Sequence, residues 1–312
     1  MALQKVLLAA PRGWCAGVDR AVEIVERALQ IYGPPVYVRK QIVHNRHVVE
    51  GLERRGAIFV DEVDEVPRGC LCVLSAHGSA PAVYQLAEQR DLRLIDATCP
   101  LVTKVHVEAI RFAKRERTIV LIGHAGHEEV EGTMGEAPDR TILVQDTDDA
   151  ERLEVADPDN ISYLTQTTLS VDETADIIAT LRRRFPNIKA PTRSDICYAT
   201  TNRQAAVKVL ARRAPLVLVI GAPNSSNSKR MVEVARQHGA ESYLIEDETQ
   251  IEPGWLDGIE VVGLSSSASA PEHLVESVLD YLSAAEVEEV RVVDEDVHFP
   301  LPKEVAGAAA CP

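Results

Sequence analysis

The chain has 312 residues, of which 46% are hydrophobic, so it is long enough to bury a sizeable core in two or three domains. With 48 acidic and 33 basic residues it carries a formal charge of -15, which argues against a nucleic-acid partner. No secretory signal and no run of about 20 apolar residues is found, so we expect a cytoplasmic protein without a membrane span. Six cysteines in such a chain indicate thiols rather than a disulfide framework.

The first predicted elements are a short apolar strand, Val6 to Ala10, and a helix with apolar spacing that begins after Cys15. A helix N-terminus favours the thiolate form, which binds metals or attacks carbon. A free cysteine is also among the most often buried residues, so position alone leaves both interpretations open for Cys15.

Further along the chain, Cys99 and Cys197 also stand just before a predicted helix, in ATCPLVTK and DICYATTNR, as Cys15 does in GWCAGVDR. After each cysteine the order of elements is similar: a strand, a polar loop, a helix and two further strands, the second of which leads to another polar loop and helix. The polar loops fall at comparable distances from the cysteines, and they are marked by His44 and His77, by His127 and Thr167, and by Ser225 and Ser269.

This threefold repeat predicts an α/β fold of three similar modules with mostly parallel sheets. We place the modules at residues 14–98, 99–193 and 194–284, the third including an N-terminal strand within residues 1–13, and a C-terminal tail at 285–312. Gly56, Gly135 and Gly239 each follow a predicted helix, and we expect them to supply left-handed helix C-caps. Cys311 lies in the tail, where we expect it to be exposed and unstructured.

Ligands of such folds bind at loops beyond the carboxyl ends of the strands, so the three cysteines are expected to converge on one rim. Three thiolates without a close Cys-x-x-Cys pair favour an iron-sulfur cluster with an open iron over a structural zinc site, although a zinc site completed by a loop histidine stays possible. His124 and His127 do not match a zinc-protease motif. Cys70 and Cys72 are expected to pack in a core.

The polar loop Asn224 to Ser228 opens a helix, and its hydroxyls, amide and backbone N–H groups suit a phosphate, although such residues are also ordinary helix caps. In GHAGHEEVEGT, a carboxyl near a reacting centre could act as a general acid. Chemistry alone does not separate Glu128 from Glu129.

The motifs PRGWCAGVDRA, SAHG, DATCPLVTKVH, IGHAGHEEVEGT, TQTTLSVD, DICYATTNRQ, NSSNS and ASAP together strongly resemble the 4-hydroxy-3-methylbut-2-enyl diphosphate reductase family, from about residue 5 to residue 280. The resemblance implies a trefoil of α/β domains around an oxygen-sensitive 4Fe-4S cluster with three cysteine ligands and one open iron. It also implies a two-electron reductive dehydroxylation of an allylic diphosphate to isopentenyl and dimethylallyl diphosphates, the last step of the methylerythritol phosphate pathway, with electrons from a ferredoxin or flavodoxin. The runner-up function is a non-catalytic iron-sulfur redox sensor.

Carried over motif by motif, the resemblance implies cluster ligands, substrate-binding residues and a proton relay. The implied cluster ligands are Cys15, Cys99 and Cys197. The implied substrate-binding residues are His44, His77, His127, Thr167, Ser225, Ser226, Asn227 and Ser269. Glu129, with Thr167 and His127, matches the catalytic positions, and Gln166 is a possible supporting group.

Two positions depart from the family pattern. Glu128 stands where the family usually has proline, which places a second carboxyl beside the relay. Ser267 stands where the family usually has glycine, which places a side chain near the expected phosphate rim. We expect the first to influence the pKa of Glu129, and because of the second the resemblance implies the backbone setting of Ser269 less firmly than the other sites.

Overall fold

The computed structural model describes residues 3–307, which divide into two compact units. The first unit comprises residues 3–16, 44–46 and 198–298, and the second comprises residues 17–43, 47–197 and 299–307. Each unit is thus assembled from segments that are distant in sequence. Cys311 lies outside the described residues.

Within residues 3–307, the strands are β1 Lys5–Ala10, β2 Val36–Arg39, β3 Ala57–Val60, β4 Leu71–Leu74, β5 Arg93–Asp96, β6 Thr118–Ile122, β7 Thr141–Val144, β8 Ile161–Thr165, β9 Leu216–Ile220, β10 Glu241–Ile245, β11 Val261–Ser266 and β12 Glu286–Arg291. The α-helices are α1 Ala16–Tyr32, α2 Arg46–Glu53, α3 Pro81–Gln89, α4 Pro100–Ala113, α5 Glu128–Gly135, α6 Thr147–Arg152, α7 Val171–Arg184, α8 Tyr198–Ala211, α9 Ser226–Gln237, α10 Glu272–Leu282 and α11 Lys303–Ala306. No helix in this described stretch combines the length and the hydropathy that crossing a membrane would need.

The first unit is built on a five-stranded parallel sheet in the order β10-β9-β11-β1-β12. The chain's first strand lies between β11 and β12, and Leu7 pairs with Gly263 on one side and with Glu288 on the other. Leu7 packs in one apolar cluster and its neighbour Leu8 in another. Because successive side chains of a strand point to opposite faces, both faces of this sheet are covered by helices.

The second unit holds two smaller parallel sheets, a four-stranded one in the order β3-β2-β4-β5 and a three-stranded one in the order β7-β6-β8. Both are buried on two faces as well. Cys72 of β4 belongs to the cluster on one face of the four-stranded sheet, and Val73 belongs to the cluster on the other. The expected packing role of Cys72 is therefore confirmed.

The repeat seen in the sequence is repeated in the topology. The orders β3-β2-β4, β7-β6-β8 and β10-β9-β11 are the same arrangement of three consecutive parallel strands, in which the first strand lies in the middle. The predicted α/β class with parallel sheets in three similar modules is confirmed. The exact module boundaries stay a prediction.

The glycine prediction is confirmed at two positions and wrong at the third. Gly56 and Gly239 have φ values of 102° and 94°, in the left-handed region that caps helices. Gly135 is instead the last helical residue of α5, and a Cβ atom there would overlap the Cβ of Ala80. Close packing against the start of α3, rather than a left-handed turn, explains this glycine.

Candidate active site

The three predicted cluster ligands occupy equivalent places in the chain. Cys15, Cys99 and Cys197 each precede the first residue of a helix, α1, α4 and α8 respectively. All three are half-buried, and none of them forms a disulfide among the described residues. By contrast, burial raises the pKa of the Cys72 thiol to about 12, which holds it in the neutral form.

The backbone of each cysteine is hydrogen-bonded to the second polar loop of another repeat. The N–H groups of Cys15, Cys99 and Cys197 donate to the carbonyl oxygens of Ala268, Ala76 and Thr167, at 3.3, 3.0 and 3.0 Å. These acceptors are the residues just before Ser269 and His77, and Thr167 itself. Each of the three cysteines is therefore hydrogen-bonded to a loop that carries a predicted substrate-binding residue.

The first unit holds Cys15 and five of the predicted substrate-binding residues, which we call the serine set: His44, Ser225, Ser226, Asn227 and Ser269. The Ser269 hydroxyl donates to the His44 carbonyl at 2.8 Å, and Asn224 Nδ2 lies 3.3 Å from His44 Nδ1. Three loops of this unit thus meet at His44.

The N-terminus of α9 is the centre of the serine set. Ser225 is the N-cap, and its Oγ accepts the Ser228 N–H at 3.3 Å. Helix N-terminal amides and the positive end of the helix dipole favour an anion. Because these donors are neutral, this site suits an anion without needing a basic surface.

The side-chain amide of Asn227 is buried and incompletely hydrogen-bonded among the described residues. It is buried, its Nδ2 has only the weak acceptor Sδ of Met231 at 3.7 Å, and its Oδ1 has no hydrogen-bond partner among the described residues. A buried polar atom without a partner is costly, and native structures seldom leave one. Rotating the amide by 180° would place its two N–H donors at the unpartnered position, where they could bind an anion.

Ser267 fits without strain. Its φ is not in the left-handed region, its side chain is buried, and its Oγ lies 3.4 Å from the Oγ of Ser269. Ser267 therefore adds a hydroxyl next to Ser269, and the setting of Ser269 in the substrate site stays a prediction.

The second unit holds Cys99, Cys197 and the other predicted residues, which we call the carboxyl set: His77, His127, Glu129 and Thr167. Glu129 is 2% exposed, and both of its oxygens are bound by Thr167. Oε1 accepts the Thr167 N–H at 2.6 Å, and Oε2 lies 3.0 Å from Thr167 Oγ1. The backbone carbonyl of Thr167 in turn accepts the Cys197 N–H. Hydrogen bonds through Thr167 therefore link the Glu129 carboxyl to the backbone of Cys197.

The surroundings of Glu129 suit a proton donor. Burial raises the pKa of its carboxyl to about 7, against the opposing effect of the two Thr167 hydrogen bonds and of His77, and the nearby charge of Asp195 raises it further. A carboxyl with a pKa near neutrality can both hold and release a proton under physiological conditions.

The two histidines of this set present defined nitrogens. His127 is the N-cap of α5, and its Nδ1 accepts the Glu129 N–H at 3.1 Å. When the ring is neutral its proton is therefore on Nε2, which makes that nitrogen a donor. The His77 and His127 rings meet edge to face with their centroids 6.0 Å apart.

Glu128 contacts His77 and Ser75. Its Oε2 lies 3.1 Å from His77 Nδ1 and 3.2 Å from Ser75 Oγ. Its influence on the pKa of Glu129 stays a prediction, and its observed contacts are with His77 and Ser75.

Two buried residues, Gln166 and Asp195, are hydrogen-bonded to the loops and strands next to the carboxyl set. Gln166 is buried, accepts the His124 N–H at 3.1 Å and donates to Thr168 Oγ1 at 2.9 Å, which ties the two polar loops of the repeat together. Asp195 was not singled out from the sequence. It is buried two residues before Cys197 and accepts from the Thr165 N–H at 3.0 Å and from Lys104 Nζ at 2.8 Å. The feature of the sequence that could have identified Asp195 is its position at the start of DICYATTNR, two residues before the cysteine.

The chain is similar to known proteins over nearly its whole length. The family model described as LytB protein matches residues 6–283. A 4-hydroxy-3-methylbut-2-enyl diphosphate reductase of Leifsonia xyli subsp. xyli is 60% identical over 97% of this chain and 91% of its own length. The enzyme of the same name from Acidothermus cellulolyticus is 58% identical over 97% of this chain and 90% of its own length.

A solved structure gives the same result. The E-1-hydroxy-2-methyl-but-2-enyl-4-diphosphate reductase from Plasmodium falciparum superposes with a TM-score of 0.94 at 37% identity, covering 97% of each chain. A second solved (E)-4-hydroxy-3-methyl-but-2-enyl diphosphate reductase has a TM-score of 0.63 at 28% identity, covering 90% of this chain and 99% of its own.

Proposed function

The chain belongs to the LytB protein family, and from this membership and the site described above we propose that it reduces (E)-4-hydroxy-3-methylbut-2-enyl diphosphate to isopentenyl and dimethylallyl diphosphates. The relatives that carry this name match the chain over nearly their whole length. The observation that supports the chemistry best is the buried Glu129 carboxyl. It is hydrogen-bonded to Thr167, whose backbone carbonyl also accepts the Cys197 N–H.

The reaction consumes two electrons and two protons. The carbon–oxygen bond of the substrate breaks, the hydroxyl leaves as water with one proton, and the other proton forms a new carbon–hydrogen bond on the allyl fragment. The protein must therefore hold the diphosphate, deliver protons beside the reacting carbon and receive electrons from outside.

The cysteines suit an iron-sulfur cluster. Thiolates are the usual ligands of such clusters, and three cysteines at equivalent helix starts would leave one iron for substrate. We propose Cys15, Cys99 and Cys197 as the ligands of one 4Fe-4S cluster. When bound, this group supplies electrons and a Lewis acid for the leaving oxygen.

Glu129 is the proposed proton donor. At neutral pH a substantial fraction of its carboxyl is protonated, because its pKa is raised to about 7. From Oε2 the proton passes to Thr167 Oγ1, which lies 3.0 Å away and can donate its own proton onward. Thr167 therefore serves as a relay for Glu129.

The diphosphate is held mainly by neutral donors. The proposed contacts are Ser225, Ser226 and Asn227 at the N-terminus of α9, the Ser269 hydroxyl, and the imidazoles of His44, His77 and His127. This chemistry explains how a protein with a formal charge of -15 binds an anion. A redox sensor would have no use for these donors, so they favour an enzyme.

We further propose that a ferredoxin or flavodoxin supplies the electrons. Within residues 3–307 none of the five cysteines forms a disulfide, which suits a reducing compartment such as the cytoplasm.

The test is an anaerobic preparation. We expect a brown protein containing iron and sulfide that converts the substrate to the two products with an artificial one-electron donor. A colourless protein that is fully active with zinc alone would contradict the proposed cofactor, and a brown protein without turnover would favour the sensor.

The cysteine assignment has its own control within the chain. Cys15→Ser should lose most of the iron and all measurable turnover, because a serine hydroxyl is a poor cluster ligand. Cys70→Ser should keep the iron content of the wild type, since Cys70 packs beside an apolar cluster. Equal iron content in the two variants would remove Cys15 from the ligand set.

A further inference from the structure

The helix that follows each predicted cluster ligand carries a cation in its second turn. These are Arg20 in α1, Lys104 in α4 and Arg203 in α8. Each binds main-chain carbonyls of the segment that precedes a different cysteine, so the pattern is cyclic.

Arg20, on the helix after Cys15, binds the segment before Cys99. Its Nη1 donates to the carbonyls of Ala97 and Thr98 at 3.2 and 3.1 Å. These two residues immediately precede Cys99 in the chain.

Lys104, on the helix after Cys99, binds the segment before Cys197. Its Nζ donates to the carbonyls of Arg193 and Ser194 at 2.7 and 3.0 Å, and to Asp195 Oδ1 at 2.8 Å. An ammonium group has three donors, and all three are used here.

Arg203, on the helix after Cys197, binds the segment before Cys15. Its Nε and Nη2 donate to the Gly13 carbonyl at 3.1 and 2.6 Å, and Nη2 also lies 3.4 Å from the Trp14 carbonyl. The side chain is 0% exposed, and Glu295 is its counter-ion at 3.0 Å. A buried charge persists only when it is paired and hydrogen-bonded.

The segment after β12 binds two of these cations. Glu295 pairs with Arg203, and the Pro300 carbonyl accepts from Arg20 Nε at 2.8 Å. The C-terminal segment is therefore part of the support of the cysteine loops.

We propose that Arg20, Lys104 and Arg203 are positioning residues that present Cys99, Cys197 and Cys15, respectively, to the cluster. Carbonyls that turn towards a fixed cation hold the main chain before each cysteine in one conformation, and three repeats of the same device fix three ligands independently. This inference rests on the cluster of the proposed function.

The cyclic order makes the test selective. Arg20→Gln, Lys104→Gln and Arg203→Gln are compared with Arg27→Gln and Arg236→Gln. Arg27 is also on α1 but pairs only with Glu23, and Arg236 binds the Ser242 carbonyl far from any cysteine in sequence. The anaerobic holoenzymes are treated with an iron chelator and a thiol-alkylating reagent, and each cysteine is followed by mass spectrometry.

We expect iron release to be about tenfold faster in the three variants than in wild type. Each variant loses the hydrogen bonds that a charged side chain donates to the main-chain carbonyls before a cysteine. We also expect alkylation to rise first at Cys99 in Arg20→Gln, at Cys197 in Lys104→Gln and at Cys15 in Arg203→Gln. General destabilisation would not reproduce this assignment of variant to cysteine.

If Arg203→Gln fails to fold, the partly exposed Lys104 and Arg20 still decide the question. Unchanged iron release, or alkylation that rises equally at all three cysteines, would overturn the inference. A wild type that holds no iron would overturn the proposed function itself, whereas a wild type that holds iron beside variants that keep it would overturn only the role of the cations.

Discussion

The serine set of the first unit and the carboxyl set of the second unit differ in their capacity to exchange protons. Apart from His44, the serine set consists of hydroxyls and an amide, whose hydrogen-bonding capacity does not change between mildly acidic and mildly basic pH. The carboxyl set has a buried acid with a pKa near 7 and two imidazoles. This difference fits the proposed division of work, in which both sets contribute contacts to the diphosphate and only the carboxyl set supplies protons.

The largest expected effect is on the carboxyl set. Glu129→Gln preserves the shape of the side chain and can still accept from the Thr167 N–H, but it cannot deliver a proton. We expect kcat to fall by about 100-fold or more, the usual scale for a general acid, with little change in substrate affinity. Steady-state kinetics and a binding titration measure the two effects separately.

Glu131→Gln is the matched control for this prediction. Glu131 is an exposed glutamate on the same helix, two residues away, and it should keep the kcat of the wild type. A comparable loss in both variants, or a loss of affinity without a loss of kcat in Glu129→Gln, would remove Glu129 from the relay.

The second prediction concerns pH. Glu129 acts in its protonated form, and the protonated fraction falls as pH rises through its pKa of about 7. We therefore expect kcat/KM to decrease above about pH 7 by about tenfold per pH unit, and we expect Glu129→Gln to lack this decrease. If the variant kept the wild-type inflection, the titrating group would lie elsewhere, for instance on the substrate.

The sequence predicts the fold that carries the two sets better than it predicts the individual side-chain contacts. The cysteine spacing and the polar loops are sufficient to predict three parallel α/β modules, because each repeat must bury its strands on both faces. GWCAGVDR, ATCPLVTK and DICYATTNR even end at the three cations that bind the cysteine loops. The partners of those cations were not predictable, because each cation binds a segment at least 77 residues away in the chain.

Long-range contacts explain the other misses. Glu128 precedes Glu129 in the chain, yet it binds His77, 51 residues away, and this pairing depends on how the start of α5 packs beside the loop after β4. Gly135 has no local signal that separates a close helix contact from a C-cap. Both cases are decided by packing between elements rather than by the local sequence.

The third prediction concerns the serine set, and it has a matched helix cap as its control. Ser225→Ala and Ser170→Ala each remove an N-cap hydroxyl, from α9 and from α7. We expect both to lower the free energy of unfolding by about 1 kcal/mol. Only Ser225→Ala should also raise KM, by about threefold to tenfold, since it removes a proposed hydrogen bond to the diphosphate.

The two sets should also differ in the pH dependence of these effects. The KM increase in Ser225→Ala should be the same on both sides of the Glu129 pKa, because a hydroxyl does not titrate in that range. An effect of Ser225→Ala on kcat alone, or an equal rise in KM for Ser170→Ala, would contradict the division between binding and proton transfer.

The smallest expected effect is at Glu128, which lies beside the carboxyl set without belonging to it. It contacts His77 Nδ1 at 3.1 Å, which restrains the ring, and in the proposed function His77 is a diphosphate contact. Glu128→Gln retains an acceptor at this position, so we expect KM to rise by less than about threefold, whereas Glu128→Ala should raise it by up to about tenfold. Steady-state kinetics at saturating substrate should give an unchanged kcat for both variants. A fall in kcat that matched the fall in Glu129→Gln would mean that the two neighbouring carboxyls share the proton relay, and the separation between orienting a ligand and delivering a proton would then be lost within α5 itself.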